Sequence, residues 1–322
     1  MSRTRIARGL AAAVCCVALV GSVPAPLQIL YVSNRYVWGT TVGAPVRLYG
    51  PVSSDVTLQI LATRSGDTIL SEFNNTLTTE GEWLRAVRLA QDGRTRVIFR
   101  RPGAGVIVAL DDVLVDDDWT QRRLAIRDPS TGAVRRSIPF DDNRGRGAWR
   151  VDGAHVALWR NAAVEIRDAQ LRLVRTLDIG NARVVAVGGG HDHIAVVAIT
   201  PQRSTITWWQ RHGSGHHLAG DQRSLRDAVE DPVSGRWFVA AGICAGDTAV
   251  IAFDRTGRSL FEERDRLRLP YTLLMAGGDL YVSNDWCSDS GGGDLIRYRS
   301  GGSGPGEVVL QSPEIITSLG VR

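Results

Sequence analysis

Short, nearly unbroken apolar runs recur along the chain at an even spacing. They begin at Val113, His155, His193, Trp237 and Leu280, with starts 42, 38, 44 and 43 residues apart. Each is followed by a second, alternating run that ends in an Asp, Gly or Ser turn. These second runs read RLAIRDPSTG (123–132), VEIRDAQ (164–170), ITWWQRHGSG (206–215), AVIAFDRTG (249–257) and LIRYRSGG (295–302). Period-two alternation closed by turn residues predicts hairpins, not helices. One unit of about 42 residues has room for four short strands, a to d, which is the size of a propeller blade.

The pentapeptide Leu-Tyr-Val-Ser-Asn stands at 30–34 and again at 280–284. An ungapped match continues from it, with Gly43 on Gly293, Val46 on Ile296 and Arg47 on Arg297. Residues 26–322 then divide into about seven units. Leu30 lies two periods before Val113, so a second unit lies between them, holding TILSEF (68–73), WLRAVRLAQDG (83–93) and TRVIFR (95–100). In the last unit YTLLM (271–275) is strand a, whereas the first unit has little room for one. The run IITSLGV (315–321) is therefore expected to supply strand a of the first blade and to remove the open sheet edge. The fold expected is all-β: a seven-bladed β-propeller with four antiparallel strands per blade and a C-terminal strand completing the first.

On the LYVSN strands, the VRLY and LIRY strands after them, and the IRD turns at Asp128 and Asp168, the chain resembles the seven-bladed propeller superfamily of YVTN, NHL and lactonase-like repeat proteins. The Trp-Asp of WD40 repeats is replaced here by Arg-Asp. The resemblance spans 26–322 and implies a fold. It does not by itself imply an activity.

Charge changes the picture less than it first suggests. The 322 residues carry a formal net charge of +4 with a pI near 9.1, and all 38 basic residues are Arg. Residues 1–25 read as a secretory signal peptide, with Arg3, Arg5 and Arg8 before an apolar Leu10–Val20 stretch and small residues near the cut. That stretch is too short to span a bilayer, and Ala13-Val14 before Cys15 does not suit lipidation. Without 1–25 the balance falls to +1 and the remaining Arg are interspersed with acids. A nucleic-acid partner is therefore not expected, nor is a transmembrane span. The expected product is a secreted or extracytoplasmic monomer. Absent lysine excludes Schiff-base and P-loop chemistry. Two cysteines remain, Cys244 and Cys287, one period apart at equivalent loop positions, and they predict a disulfide between neighbouring blades.

Candidate chemistry gathers in the b–c loops: Arg35, Tyr36, Trp38, Asp118, Trp119, Arg160, Asp247, Asp285 and Trp286. Aromatic groups beside fixed charges suit a binding face for an extracytoplasmic protein, a glycan or a small molecule. The segment DWCSDSGGGD (285–294) spaces its acids poorly for a Ca²⁺ loop. A surface Zn²⁺ site would draw on His191, His193, His212, His216 and His217. No cofactor is required by the sequence, and no catalytic residue is assigned. The primary reading is a binding or interaction module, and the alternative is a lactonase-like hydrolase with a divalent metal in the central channel. Three or more Asp, Glu, Asn or His side chains converging on the axis would favour the hydrolase. An apolar or arginine-filled axis would favour the binder.

Overall fold

The computed structural model describes residues 28–322 apart from 41–44, 63–66, 75–80, 141–146, 161, 190–192, 200–203, 211–214, 222–223, 245, 255, 289–290 and 300–303. Among the described residues every regular element is a strand, and the 28 strands form seven four-stranded antiparallel sheets. The first sheet holds β1 (Ile29–Ser33), β2 (Tyr36–Thr40) and β3 (Val46–Tyr49). The second holds β4 (Val56–Ala62), β5 (Thr68–Asn74), β6 (Trp83–Leu89) and β7 (Thr95–Pro102), and the third β8 (Gly105–Ala109), β9 (Leu114–Asp118), β10 (Arg123–Arg127) and β11 (Val134–Pro139). The fourth runs β12 (Ala148–Arg150), β13 (His155–Arg160), β14 (Ala163–Asp168) and β15 (Leu173–Asp178), and the fifth β16 (Arg183–Gly189), β17 (His193–Ile199), β18 (Ser204–Gln210) and β19 (Gly215–Asp221). The sixth has β20 (Leu225–Glu230), β21 (Trp237–Ala241), β22 (Ala249–Phe253) and β23 (Ser259–Glu263). The seventh has β24 (Pro270–Ala276), β25 (Asp279–Asp285), β26 (Gly293–Tyr298) and β27 (Glu307–Ser312). The last strand, β28 (Ile316–Val321), returns to the first sheet and pairs antiparallel with β1, with Leu30 opposite Gly320. The chain is a seven-bladed β-propeller, and its C-terminal strand closes the ring as expected.

Seven apolar clusters hold the ring, one at each junction between successive blades. Inner strands bury both faces and so read as continuous apolar runs, while the outer d strands are largely exposed. Trp237 is fully buried between the fifth and sixth blades, and a Cβ on Gly188 would come within 2.6 Å of its ring. Glycine at 188 is therefore what admits the indole. Turn aspartates cap the hairpins. Asp128 accepts the Ser130 and Thr131 amides, and Asp254 those of Thr256 and Arg258. Arg135 first and these amides next hold the Asp128 carboxyl well below its usual range. The Thr256 hydroxyl and its turn amides lower Asp254 likewise.

Two sequence expectations need correction. The ungapped match after the two LYVSN segments does not mark equivalent strands. Val46–Tyr49 is strand d of its blade, whereas Gly293–Tyr298 is strand c. The two pentapeptides both lie on b strands but face opposite ways. Leu30 and Val32 pack toward the next blade and Tyr31 toward the previous one. Leu280 and Val282 pack toward the previous blade and Tyr281 toward the next. A strand buried on both faces tolerates this one-residue slip, because neither face demands polarity. Second, Asp118 is not a loop residue: with Asp116 and Asp117 it forms the end of β9, and each is buried. Tyr36, Arg160 and Asp285 likewise lie on strands, at the ends of β2, β13 and β25 that face the b–c loops, and Trp38 lies within β2.

Candidate functional site at the axial mouth

Strand a of each blade is innermost and starts on the face where the b–c loops emerge. On that face the first residues of several a strands enclose a cavity of about 1040 Å³, at the upper end of the roughly 300–1,000 Å³ usual for small-ligand sites. The register of four consecutive blades explains what faces it. Pairing with strand b skips one residue at Val185 in β16, at Arg226 in β20, at Tyr271 in β24 and at Thr317 in β28. Each skip is a β-bulge. A bulge re-aims the extra side chain, and bulges concentrate beside functional sites. Arg226, Tyr271 and Thr317 line the cavity together with Thr57, Gln59 and Trp149. The Arg226 guanidinium lies over the Tyr271 ring, 5.7 Å from its centroid.

The residue after a bulge ties adjacent blades together. Asp227 accepts the amide of Leu273 in the next blade at 2.8 Å and its neighbour Ala228 at 2.9 Å. The Ser318 hydroxyl accepts the Ile60 amide at 3.1 Å. Burial pushes the Asp227 carboxyl up to about 6, and the two amides pull the other way.

Of the residues singled out in the sequence, Arg35 lines this cavity. Others lie on the same face but elsewhere. Tyr36 and Trp38 stand on β2 with rings edge to face at 5.9 Å, and Arg47 covers Tyr36. Asp118, Trp119 and Arg160 belong to a buried network joining three blades. In it Arg101 bonds Asp116 and Asp118, Arg127 bonds Asp116, and Arg160 and the Trp119 indole bond Asp117. Burial raises the Asp117 carboxyl, opposed by Arg160. Asp247 pairs with Arg264, and Asp285 accepts the Cys287 amide. Trp286 packs over Gly292. The disulfide Cys244–Cys287 links the b–c loops of the sixth and seventh blades. His191 and His212 lie outside the described residues. His193 starts β17, and His216 and His217 are strand residues of β19 rather than turn residues, with side chains outside the description.

Reading b–c loops alone missed Arg183, Arg226, Tyr271, Thr317 and Trp149, because they sit on a strands and bulges leave no composition signal. The described lining of the mouth carries two carboxylates, Asp227, engaged with two amides, and Glu314, with one asparagine, Asn34, and these do not make up the metal centre of the alternative reading. Among the described residues no group of three His, Cys, Asp or Glu stands together for a metal. Among them too, no helix is long and apolar enough to cross a membrane.

No family model and no curated protein matches the sequence. Solved structures do. A putative 6-phosphogluconolactonase from Bacteroides fragilis is 10% identical, with a TM-score of 0.61, over 92% of this chain and 98% of that one. Its counterpart from Bacteroides uniformis is 9% identical, with a TM-score of 0.62, over 92% and 99%. A chain of the nidogen/laminin complex is 12% identical, with a TM-score of 0.52, over 92% and 98%. The likeness is one of fold. One ring architecture is thus shared by two putative 6-phosphogluconolactonases and a chain of a protein–protein complex.

Proposed function

We propose that this protein is an exported, non-catalytic binding propeller that takes its ligand in the axial mouth. The observation that carries this reading is the run of bulges at equivalent positions in three consecutive blades, whose extra residues Arg226, Tyr271 and Thr317 all line one cavity. Interrupted pairing at one level of neighbouring blades supplies Arg226, Tyr271 and Thr317 to a shared hollow, beside the inter-blade hydrogen bonds of Asp227 and Ser318. The wider ring of Tyr36, Trp38, Trp119, Asp247, Asp285 and Trp286 lies on the same face and would extend the contact to a protein or glycan. Export is supported by the disulfide between exposed loops and by the signal-like character of residues 1–25.

The test is a thermal-shift screen of metabolites and short glycans on the wild type and on Thr317→Trp, which fills the mouth. Ligands that stabilise the wild type are expected to lose their effect in the variant. Ligands that stabilise both equally place binding elsewhere and overturn the reading.

A further inference from the structure

The charge inside the mouth is unbalanced. Arg35, Arg183 and Arg226 all line it. Elsewhere, arginines such as Arg135, Arg172, Arg264 and Arg297 are paired with Asp128, Asp168, Asp247 and Asp279. The three mouth arginines have no carboxylate partner among the described residues. Arg226 is the sharpest case. Its Nε is shut away from solvent and has no acceptor, and its neighbour Asp227 gives its oxygens to backbone amides. A buried N–H without an acceptor is costly and is the exception in folded proteins. Among the described residues Glu314 is the one other carboxylate on the lining. Guanidinium groups match planar or tetrahedral oxyanions with paired donors. A cavity of about 1040 Å³ also exceeds the needs of a single simple anion.

We infer that the mouth binds a small molecule carrying at least two acidic groups, carboxylate or phosphoryl, held between Arg226, Arg183 and Arg35. Tyr271 stacks beneath the Arg226 guanidinium and keeps it spread toward the ligand. Thr57, Gln59 and Thr317 supply neutral donors and acceptors for the remainder. This inference rests on the mouth being the ligand site.

Calorimetry on the full chain tests it, with citrate and pyrophosphate as probes and uncharged triethyl citrate as the comparator. Citrate, pyrophosphate or both are expected to bind at low salt and to weaken at high salt, the comparator to be silent, and the preferred anion to name the acidic group. Arg226→Ala is expected to weaken binding about ten- to a hundredfold. Arg226→Lys, which keeps the charge and loses the fork, should fall between. Melting temperatures of both variants would show whether they fold. Silence from both anions overturns the inference, as does equal binding of triethyl citrate, or an affinity unchanged in folded Arg226→Ala. Thr317→Trp separates the two levels. Anion binding that survives in Thr317→Trp removes the mouth as the site altogether. Neutral ligands that it abolishes, with no preference for anions in the wild type, leave the mouth as the site and refute its acid specificity.

Discussion

Asp227 shows how one residue can serve the ring and the site together. Its carboxylate bridges two a strands through backbone amides while lying against the cavity. Burial lifts it to about 6, above the usual 3.8. A carboxyl whose folded pKa is raised binds its proton more tightly folded than unfolded. Its contribution to stability is fully present below about pH 3.8 and is lost as pH climbs through about 6. The difference amounts to on the order of 3 kcal/mol. Asp227→Asn removes this dependence, at a constant cost from turning an amide NH₂ toward a backbone donor. Urea unfolding at a series of pH values should therefore show the wild type losing stability relative to Asp227→Asn between pH 4 and 7. Parallel curves would mean that the carboxyl titrates normally. Such a residue was illegible in the sequence, where Leu-Arg-Asp reads as one more strand fragment. The same holds for Asp116–Asp118, whose polar run resembles a loop. Their partners Arg101 and Arg160 lie 15 and 43 residues away from the aspartates they bond, in other blades.

At the scale of the strand, the buried network around β9 acts as a seam. Arg101 at the end of β7 reaches Asp116 and Asp118 of the next blade and also donates to the Gly103 and Ala104 carbonyls. Removing one member of a buried ion cluster leaves the rest charged and unpaired, so Arg101→Ala should cost about 3–5 kcal/mol. Arg101→Met with Asp116→Leu removes charges from both sides and should recover part of that loss. A double variant no more stable than Arg101→Ala would show that the contacts matter as shape and not as charge. Strand existence was legible because inner strands are apolar throughout and hairpins end in Asp and Gly. Strand facing was not, as the two LYVSN segments show: buried on both sides, they fit either orientation. Strand a of the second blade, Val56–Ala62, also escaped notice: VTLQI alternates, but the repeat is indexed on the apolar b strands, and a lone alternating run does not say which strand of a blade it is.

For the whole molecule the decisive contact is the one between the two ends of the described chain. Gln28 and Arg322 exchange backbone hydrogen bonds at 3.0 and 2.9 Å, and β28 fills the inner position of the first blade. The sequence revealed this closure because a missing strand a at one end and a surplus strand at the other are complementary facts. The asymmetry of the mouth stayed hidden, because it depends on which blades carry bulges. Closure makes two alterations of similar size behave oppositely. Deleting residues 315–322 takes Ile316 and Leu319 out of the junction between the seventh and first blades, bares the β1 edge to pairing with other chains, and removes Thr317 and Ser318 from the mouth. That chain should lose cooperative unfolding and associate on size-exclusion chromatography. A circular permutant keeps every residue from 28 to 322, joins Arg322 to Gln28 through a two-residue turn, and opens the chain between β3 and β4. It preserves all seven junctions and should elute as the parent does, with the same ligand response. If the permutant collapsed while the truncation survived, the ring would be held by chain connectivity and not by the β28–β1 pairing.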